Sequence, residues 1–486
     1  MTLTRPIRFF HRQRIVEIAD APATRSVLDW LREDEQAVGT KEGCAEGDCG
    51  ACTVVVGELA DDGRLKLETV NACIRFLPTL DGRALFTVED LAPGGLLHPV
   101  QQALVEHHGS QCGFCTPGFV MSLWACYERH QDTGTRPTRQ QLADELAGNL
   151  CRCTGYRPIL DAGLAMFDAP PLRLDHAPVA AALQSLRAQP ALHTASGFHA
   201  PRSVDELAAL HEARPGARLL GGGTDIGLWV NKQLRVLPEL IWTGEVAELR
   251  RVERRDDALV IGAAASLEDA WAALAAEHPQ LTDLWRRFAS PPVRHAGTMG
   301  GNVANGSPIG DSAPVLLVLD ARLVLRRGER VRELALDQFY VDYMKNRLEA
   351  GEFVQAIVVP QAPPGSVVRG WKISKRWDSD ISAVCAAFRL RLDEDGRIAE
   401  QRIAFGGMAA TVKRAAAAEA ALAGRRWDEA ALRAAQAALE ADYQPLSDLR
   451  ASAGYRMQVA KNLLERLWLE TRPDAPLPTA ALELRA

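Results

Sequence analysis

Eight of the ten cysteines in this 486-residue chain fall into two dense arrays within its first third, and they constrain the N-terminal fold more than any other feature. Cys44, Cys49 and Cys52 in GCAEGDCGACTV, with Cys73 in NACIRF, give C-x4-C-x2-C and a fourth thiol after a gap of twenty residues. This is the ligand spacing of a [2Fe–2S] cluster, with Gly43, Gly47 and Gly50 letting backbone N–H groups wrap close to its sulfurs. Cys112 and Cys115 in SQCGFCTPG, then Cys151 and Cys153 in NLCRCTGYRP, supply a second set of four. Structural zinc pairs C-x2-C with another C-x2-C or with closely spaced His, and neither array does so. A disulfide framework is disfavoured because the N-terminus MTLTRPIRFFHRQR has no apolar signal region, so a reducing compartment is expected. Cys126 and Cys385 lie in apolar stretches and are expected to be buried thiols without chemistry.

The length exceeds what one core accommodates and implies three or four domains. A formal net charge of −6, with no basic block, gives no electrostatic case for nucleic acid. The longest apolar run, residues 313–325, is broken by Asp320 and Arg322 and is too short to span a bilayer. A soluble cytoplasmic protein is expected.

Residues 1–87 alternate β-type runs (RIVEIA, CTVVVGEL, RLKLETV) with one helix, SVLDWLRED, which predicts an α+β domain around the first array. Residues 88–165 are helical: Thr116 is placed to cap a helix with Pro117 at its first position, burying Phe119, Val120, Leu123, Trp124 and Tyr127. Thr138 and Gln141 form a capping box for a helix ending near Gly148, so both cysteine pairs fall at helix ends. Residues 166–195, rich in Ala and Pro, are expected to be mostly linker. Residues 196–365 alternate short strands with helices such as SLEDAWAALAAEH and predict a second α+β domain. Residues 366–486, with strands in SAVCAAFRLRLDE and RIAEQRIAFGG followed by Ala-rich helices, predict a third.

Two glycine-rich segments stand in the middle of the chain: LLGGGTDIG at 219–227, after a strand, and RHAGTMGGNVANGSPIGD at 294–311, after a helix. Neither matches G-x-G-x-x-G or a Walker motif. Consecutive glycines nevertheless bring N–H groups against an anion, and Thr224, Thr298 and Asn302 add side-chain donors. One-electron carriers need a partner that also handles electron pairs, and flavin does so while bringing a pyrophosphate for such loops to hold.

With CAEGDCGAC, QCGFCTPG, LCRCTGYRPI, GGGTDIGLWVNK, GTMGGNVANGSPIGD and FGGMAATVKRA in this order, the chain resembles the small subunits of bacterial xanthine dehydrogenases, members of the molybdenum hydroxylase family. The resemblance implies a multidomain α+β fold: a plant-ferredoxin-like β-grasp [2Fe–2S] domain, an all-α [2Fe–2S] domain, an α+β FAD-binding domain and an α+β C-terminal domain. It assigns Cys44, Cys49, Cys52 and Cys73 to one cluster and Cys112, Cys115, Cys151 and Cys153 to the other. It assigns FAD to Leu219, Leu220, Gly221, Gly222, Gly223, Thr224, Asp225 and Ile226, to Thr298, Gly301, Asn302, Asn305 and Asp311, and to Phe288 and Lys372. Tyr343 matches a position near the nicotinamide site, although a lone Tyr in an apolar stretch is more often core packing, and Gln111 matches a residue pointed at the molybdopterin. No molybdopterin-binding region follows the C-terminal domain, so the substrate-oxidising centre is expected on a partner large subunit. The implied function is electron transfer from xanthine or hypoxanthine oxidation through two clusters and FAD to NAD, with no general acid or base on this chain. The rivals are a subunit of another molybdenum hydroxylase, acting on an aldehyde or N-heterocycle, and a stand-alone iron–sulfur flavin reductase.

Overall fold

The computed structural model describes residues 4–477; residues 1–3 and 478–486, at the ends of the first and last expected domains, lie outside the described residues. The chain forms two compact units. One takes the residues through Glu248 with Ser266–Glu268 and Ala289–Thr298; the other takes Leu249–Ala265, Asp269–Phe288 and the chain from Met299 onward.

The first unit opens with a five-stranded mixed sheet of Ile7–His11, Arg14–Ile18, Thr53–Leu59, Leu65–Asn71 and Ala84–Phe86. Ile7–His11 pairs antiparallel with Arg14–Ile18 and parallel with Ala84–Phe86, as in a β-grasp. The β-branched run of Thr53–Leu59 suits its interior position between Ala84–Phe86 and Leu65–Asn71, where nearly every side chain is buried. The helix expected at SVLDWLRED is one turn, Val27–Asp29, entered through a Ser26/Asp29 capping box and continued as a π-helical turn, Trp30–Asp34.

Four helices follow: Pro99–Glu106, Thr116–Thr133, Arg139–Glu145 and Arg157–Ala165. Every residue from Gly118 to Glu128 is buried, so this stretch of the second helix is enclosed on all sides, while its last turn is partly exposed. Thr116 is its first residue and not its cap: Cys115 holds the cap position without a side-chain bond, and the Thr116 hydroxyl instead meets Ser110 Oγ at 2.8 Å. The Thr138/Gln141 capping box is present, with Gln141 N–H on Thr138 Oγ1 at 3.2 Å and Thr138 N–H on Gln141 Oε1 at 2.7 Å.

The segment expected to be linker contains the helix His176–Arg187, whose Val179, Leu183 and Leu186 join the core formed by Phe86, Trp124 and Tyr127. Just before it the chain is tied to the long buried helix: Leu172 N–H donates to Tyr127 Oη at 3.2 Å, and Leu174 N–H to Glu128 Oε1 at 3.2 Å. A second sheet orders Leu192–His193, Phe198–Ala200, Leu240–Trp242 and Arg218–Leu220. Its Leu192, Phe198 and Trp242 share a core with Val27, Ile74 and Leu85 of the β-grasp.

The second unit holds a five-stranded antiparallel sheet, ordered Val252–Arg255, Ala258–Gly262, Phe353–Pro360, Arg322–Arg327 and Arg330–Ala335. A four-stranded antiparallel sheet follows, of Val367–Ile373, Val384–Leu392, Ile398–Gly406 and Lys413–Arg414. Trp371, Phe388 and Phe405 on this sheet pack with Trp427 and with Leu439 and Leu464 from the helices Glu429–Asp442 and Ala453–Thr471. Among the described residues no helix is long and apolar enough to cross a membrane.

Candidate iron–sulfur and flavin sites

Three sulfurs of the first array sit on the loop before Thr53–Leu59, and the fourth follows Leu65–Asn71. Cys52 and Cys73 are buried and Cys44 and Cys49 half-buried. Cys52 Sγ lies 3.3 Å from Cys73 Sγ, while Cys44 shares hydrogen bonds with Cys49 and Cys73. As free thiols the four divide their protons. Hydrogen bonds with Cys49 and Cys73 hold Cys44 toward thiolate, and one with Cys73 does the same for Cys52, while Cys49 and Cys73 are pushed up. Cys49 N–H lies 3.4 Å from Cys44 Sγ and Asn71 Nδ2 4.0 Å from Cys52 Sγ, which aims donors at sulfur.

In the second array, hydrogen bonds join Cys115 with Cys151 and Cys112 with Cys153. Burial, then the Cys151 contact, pushes the Cys115 thiol up to about 12. Burial also acts upward on Cys151, but the side-chain and backbone hydrogen bonds of Thr154 outweigh it and bring that thiol down. Cys112 and Cys153 are exposed, and so is the neighbouring Gln111. Among the described residues no three His, Cys, Asp or Glu side chains close on a point as a single metal ion requires. Each array brings four sulfurs into contact, as a connected set in the first and as two pairs in the second, and a [2Fe–2S] cluster takes four thiolates, so the donor sets fit two such clusters.

The arrays are joined through backbone. Leu150 N–H, one residue before Cys151, donates to the Cys49 carbonyl at 3.0 Å. Asn149 Nδ2 reaches the Gly50 carbonyl at 3.2 Å and Thr53 Oγ1 at 3.1 Å, and its Oδ1 accepts from Ser122 Oγ at 2.6 Å.

Leu219 and Leu220 end the strand Arg218–Leu220; Gly221 to Asp225 turn, and Ile226 opens the helix Ile226–Asn231. The close approach at Gly222 is to protein: a Cβ there would stand 1.6 Å from the Ala296 carbonyl oxygen. The positive φ belongs to Gly223, at 77°. Gly221 lies against Thr298, with 2.7 Å between the position of an added Cβ and Thr298 Oγ1, and its carbonyl accepts from Trp242 Nε1 at 3.1 Å. The loop therefore packs on Ala296–Thr298, and Thr224 is half-buried beside it.

The remaining residues expected at the flavin lie in the second unit. Much of the segment expected as a second glycine loop is helical, Met299–Asn305, carrying Gly301, Asn302 and Asn305. The buried Asn302 Oδ1 has no partner among the described residues. Asp311 and Lys372, 5% and 3% exposed, form a buried pair at 3.0 Å, and Ser382 Oγ donates to the other Asp311 oxygen at 2.6 Å. Among the described residues Asp311 is the one hydrogen-bond partner of Lys372 Nζ, which leaves ammonium donors to spare in a buried place. Arg287 fixes the backbone beyond the lysine: Nη1 donates to the Lys372 carbonyl at 2.8 Å, and the guanidinium lies 4.1 Å over the Trp377 ring. Phe288 is buried and packs on Trp271 at 5.7 Å. An orphaned amide oxygen and an under-used buried ammonium fit a polar, anionic cofactor.

Tyr343 is 61% exposed, in the turn joining Tyr340–Asp342 to Lys345–Asn346, so core packing does not explain it. Cys126 and Cys385 are fully buried, as expected. Asn71, Asn149, Asn231, Arg287 and Ser382 carry no sequence signal beyond the position of Asn71, Asn149 and Asn231 at the edges of recognisable motifs.

Four family models match in order: 2Fe-2S iron-sulfur cluster binding domain at 10–77, [2Fe-2S] binding domain at 87–164, FAD binding domain in molybdopterin dehydrogenase at 193–362, and CO dehydrogenase flavoprotein C-terminal domain at 369–471. The chain is 31% identical to a xanthine dehydrogenase of Emericella nidulans over 90% of its own length and 36% of the relative's. It is 32% identical to one of Drosophila subobscura over 79% and 33%. The chain thus spans about a third of the curated relatives it matches. A solved carbon monoxide dehydrogenase from Hydrogenophaga pseudoflava, lacking the Mo-pyranopterin moiety of the molybdenum cofactor, matches at 30% identity and a TM-score of 0.52, over 55% of this chain and 94% of that one. With two [2Fe–2S] domains, a flavin domain and its C-terminal companion in this order, the chain belongs to the molybdenum hydroxylase family and has the architecture of its electron-transferring small subunit.

Proposed function

We propose that the chain is the electron-transfer subunit of a cytoplasmic xanthine dehydrogenase, taking electrons from xanthine or hypoxanthine oxidised at the molybdenum centre of a partner large subunit and passing them to NAD. When bound, the clusters carry single electrons and FAD exchanges single electrons for pairs. The eight cysteines hold the irons, four to each cluster. The resemblance assigns to the flavin Leu219–Ile226 with Thr298 on the first unit, and Gly301, Asn302, Asn305, Asp311, Phe288 and Lys372 on the second. Lys372 supplies positive charge in a water-poor setting, Ser382 and Asp311 fix its position, and Arg287 fixes its backbone. Gln111 lies beside the exposed second array, on the side offered to the molybdopterin chain, and Tyr343 is offered to nicotinamide.

The observation that carries this reading is the union, in one compact unit, of two sets of four sulfurs joined by the Leu150–Cys49 hydrogen bond. The curated relatives favour xanthine over other substrates. The carbon monoxide dehydrogenase match favours, as second reading, a small subunit serving a family member with another substrate.

Purified anaerobically, the chain is expected to hold about four irons per flavin. Cys44→Ser and Cys151→Ser are each expected to remove a different one of two paramagnetic signals seen after reduction. The chain alone is expected to oxidise NADH with an artificial dye and to leave xanthine untouched until a molybdopterin chain is added. Stoichiometric zinc without iron, or loss of one common signal in both variants, would overturn the site assignment; xanthine hydroxylation by the chain alone would overturn the subunit reading.

A further inference from the structure

We propose that Asn231 is a positioning residue that sets the rate of electron exchange between the flavin loop and the first cysteine array. The inference rests on the function proposed above and adds a residue to it. Asn231 is the last residue of the helix Ile226–Asn231, which continues directly from the glycine turn. Its Nδ2 donates to the carbonyl of Cys73 at 2.8 Å and to that of Ala45 at 3.1 Å, one hydrogen to each. Both acceptors belong to the first array: Cys73 supplies a sulfur, and Ala45 follows Cys44.

Ala45 has φ 55°, a left-handed conformation that L side chains rarely adopt, and it holds that carbonyl turned toward Asn231. The helix lies close enough to make the geometry demanding. A Cβ on Gly227 would stand 2.8 Å from Ile74 Cβ and 3.0 Å from the Ile74 carbonyl oxygen, and Ile74 is the next residue after Cys73. The glycine supplies the approach and the asparagine supplies the register. Without the amide, two polar carbonyls, one on the ligand loop and one on the fourth ligand, lose a donor, and the helix loses its hydrogen-bonded tie to both.

Ile226, Leu228 and Val230 of the helix pack against the core that contains Cys73 and Ile74, and Lys232, which caps the helix, pairs with Glu46 at 3.8 Å, both side chains 44% exposed. A pair so exposed fixes little, which makes Lys232→Ala a control for loosening of the surface.

The test uses the purified chain with flavin and iron in place. The flavin is photoreduced by a laser flash, and electron arrival at the first cluster is followed by absorbance and by rapid-freeze paramagnetic resonance. Asn231→Asp keeps the shape and removes the donor; Asn231→Ala removes it without adding charge. Both are expected to retain iron and flavin and to slow exchange at least about tenfold, the scale on which small misplacement of reacting centres is felt. Exchange between the two clusters and the rate in Lys232→Ala are expected to match the parent. Parental flavin-to-cluster rates in both variants would overturn the proposal, as would loss of the first cluster in both, which would make Asn231 a structural residue only. Absence of any flavin-to-cluster exchange in the parent would instead refute the function proposed above.

Discussion

Glu128 lies on the long buried helix of the second iron–sulfur domain, 1% exposed, with its carboxylate accepting from Leu174 N–H at 3.2 Å. Burial raises its pKa from the usual 4.5 to about 7, opposed by the Leu174 hydrogen bond and the nearby Arg173 charge. At ~1.4 kcal/mol per pH unit of displacement, the difference between folded and unfolded chain is worth roughly 3 kcal/mol. The folded chain holds the proton more tightly. Its contribution to stability is therefore complete below about pH 4.5 and is lost as pH rises through about 7. Glu128→Gln keeps an acceptor for Leu174 and cannot ionise, but its amide N–H₂ enters a buried site at a cost of about 1–3 kcal/mol that does not vary with pH. The decisive quantity is thus the change in the variant-minus-parent difference between pH 4.5 and pH 8.5. Scanning calorimetry or chemical unfolding of the cluster-loaded chain is expected to show the variant gaining on the parent by about 3 kcal/mol over that range. A difference that stays flat with pH would mean that Glu128 titrates at an ordinary value and that the Leu172–Leu174 segment does not shield it.

Gly222→Ala places a methyl where the Ala296 carbonyl oxygen stands, 1.6 Å away, so the turn must open; flavin is expected to be lost while iron stays at about four per chain, measured by metal analysis and absorbance. Retention of flavin at parental affinity would remove the loop from the flavin site. Lys372→Met leaves the Asp311 carboxylate buried with only the Ser382 hydroxyl on its side chain, and is expected to cost about 3–5 kcal/mol in unfolding experiments, as removal of one partner from a buried pair does. Because Lys372 is assigned to the flavin, weaker FAD retention by ultrafiltration is expected as well; Lys372→Met together with Asp311→Asn is expected to recover stability without recovering flavin.

What was legible in the chain was what is encoded over short separations. Cysteine spacing announces clusters because ligands on one loop must reach sulfur-sized distances of each other, and the Thr138/Gln141 box is a contact across one helical turn. The helix His176–Arg187 was hidden because Ala and Pro suit a linker as well as they suit a helix that buries only Val179, Leu183 and Leu186. Gly222 was legible as a glycine that something approaches, but not as one approached by Ala296, 74 positions away in the chain. The same limit applies most strongly to the two asparagines beside the first array. Asn149 is 99 residues from Gly50 and Asn231 is 158 from Cys73, and no periodicity connects such pairs. Yet each donates to a backbone carbonyl of the ligand loop or the fourth ligand, one from the second-array side and one from the glycine-turn side. Cysteine spacing points to the cluster; the backbone that carries the cysteines is held by amides whose partners only folding brings near.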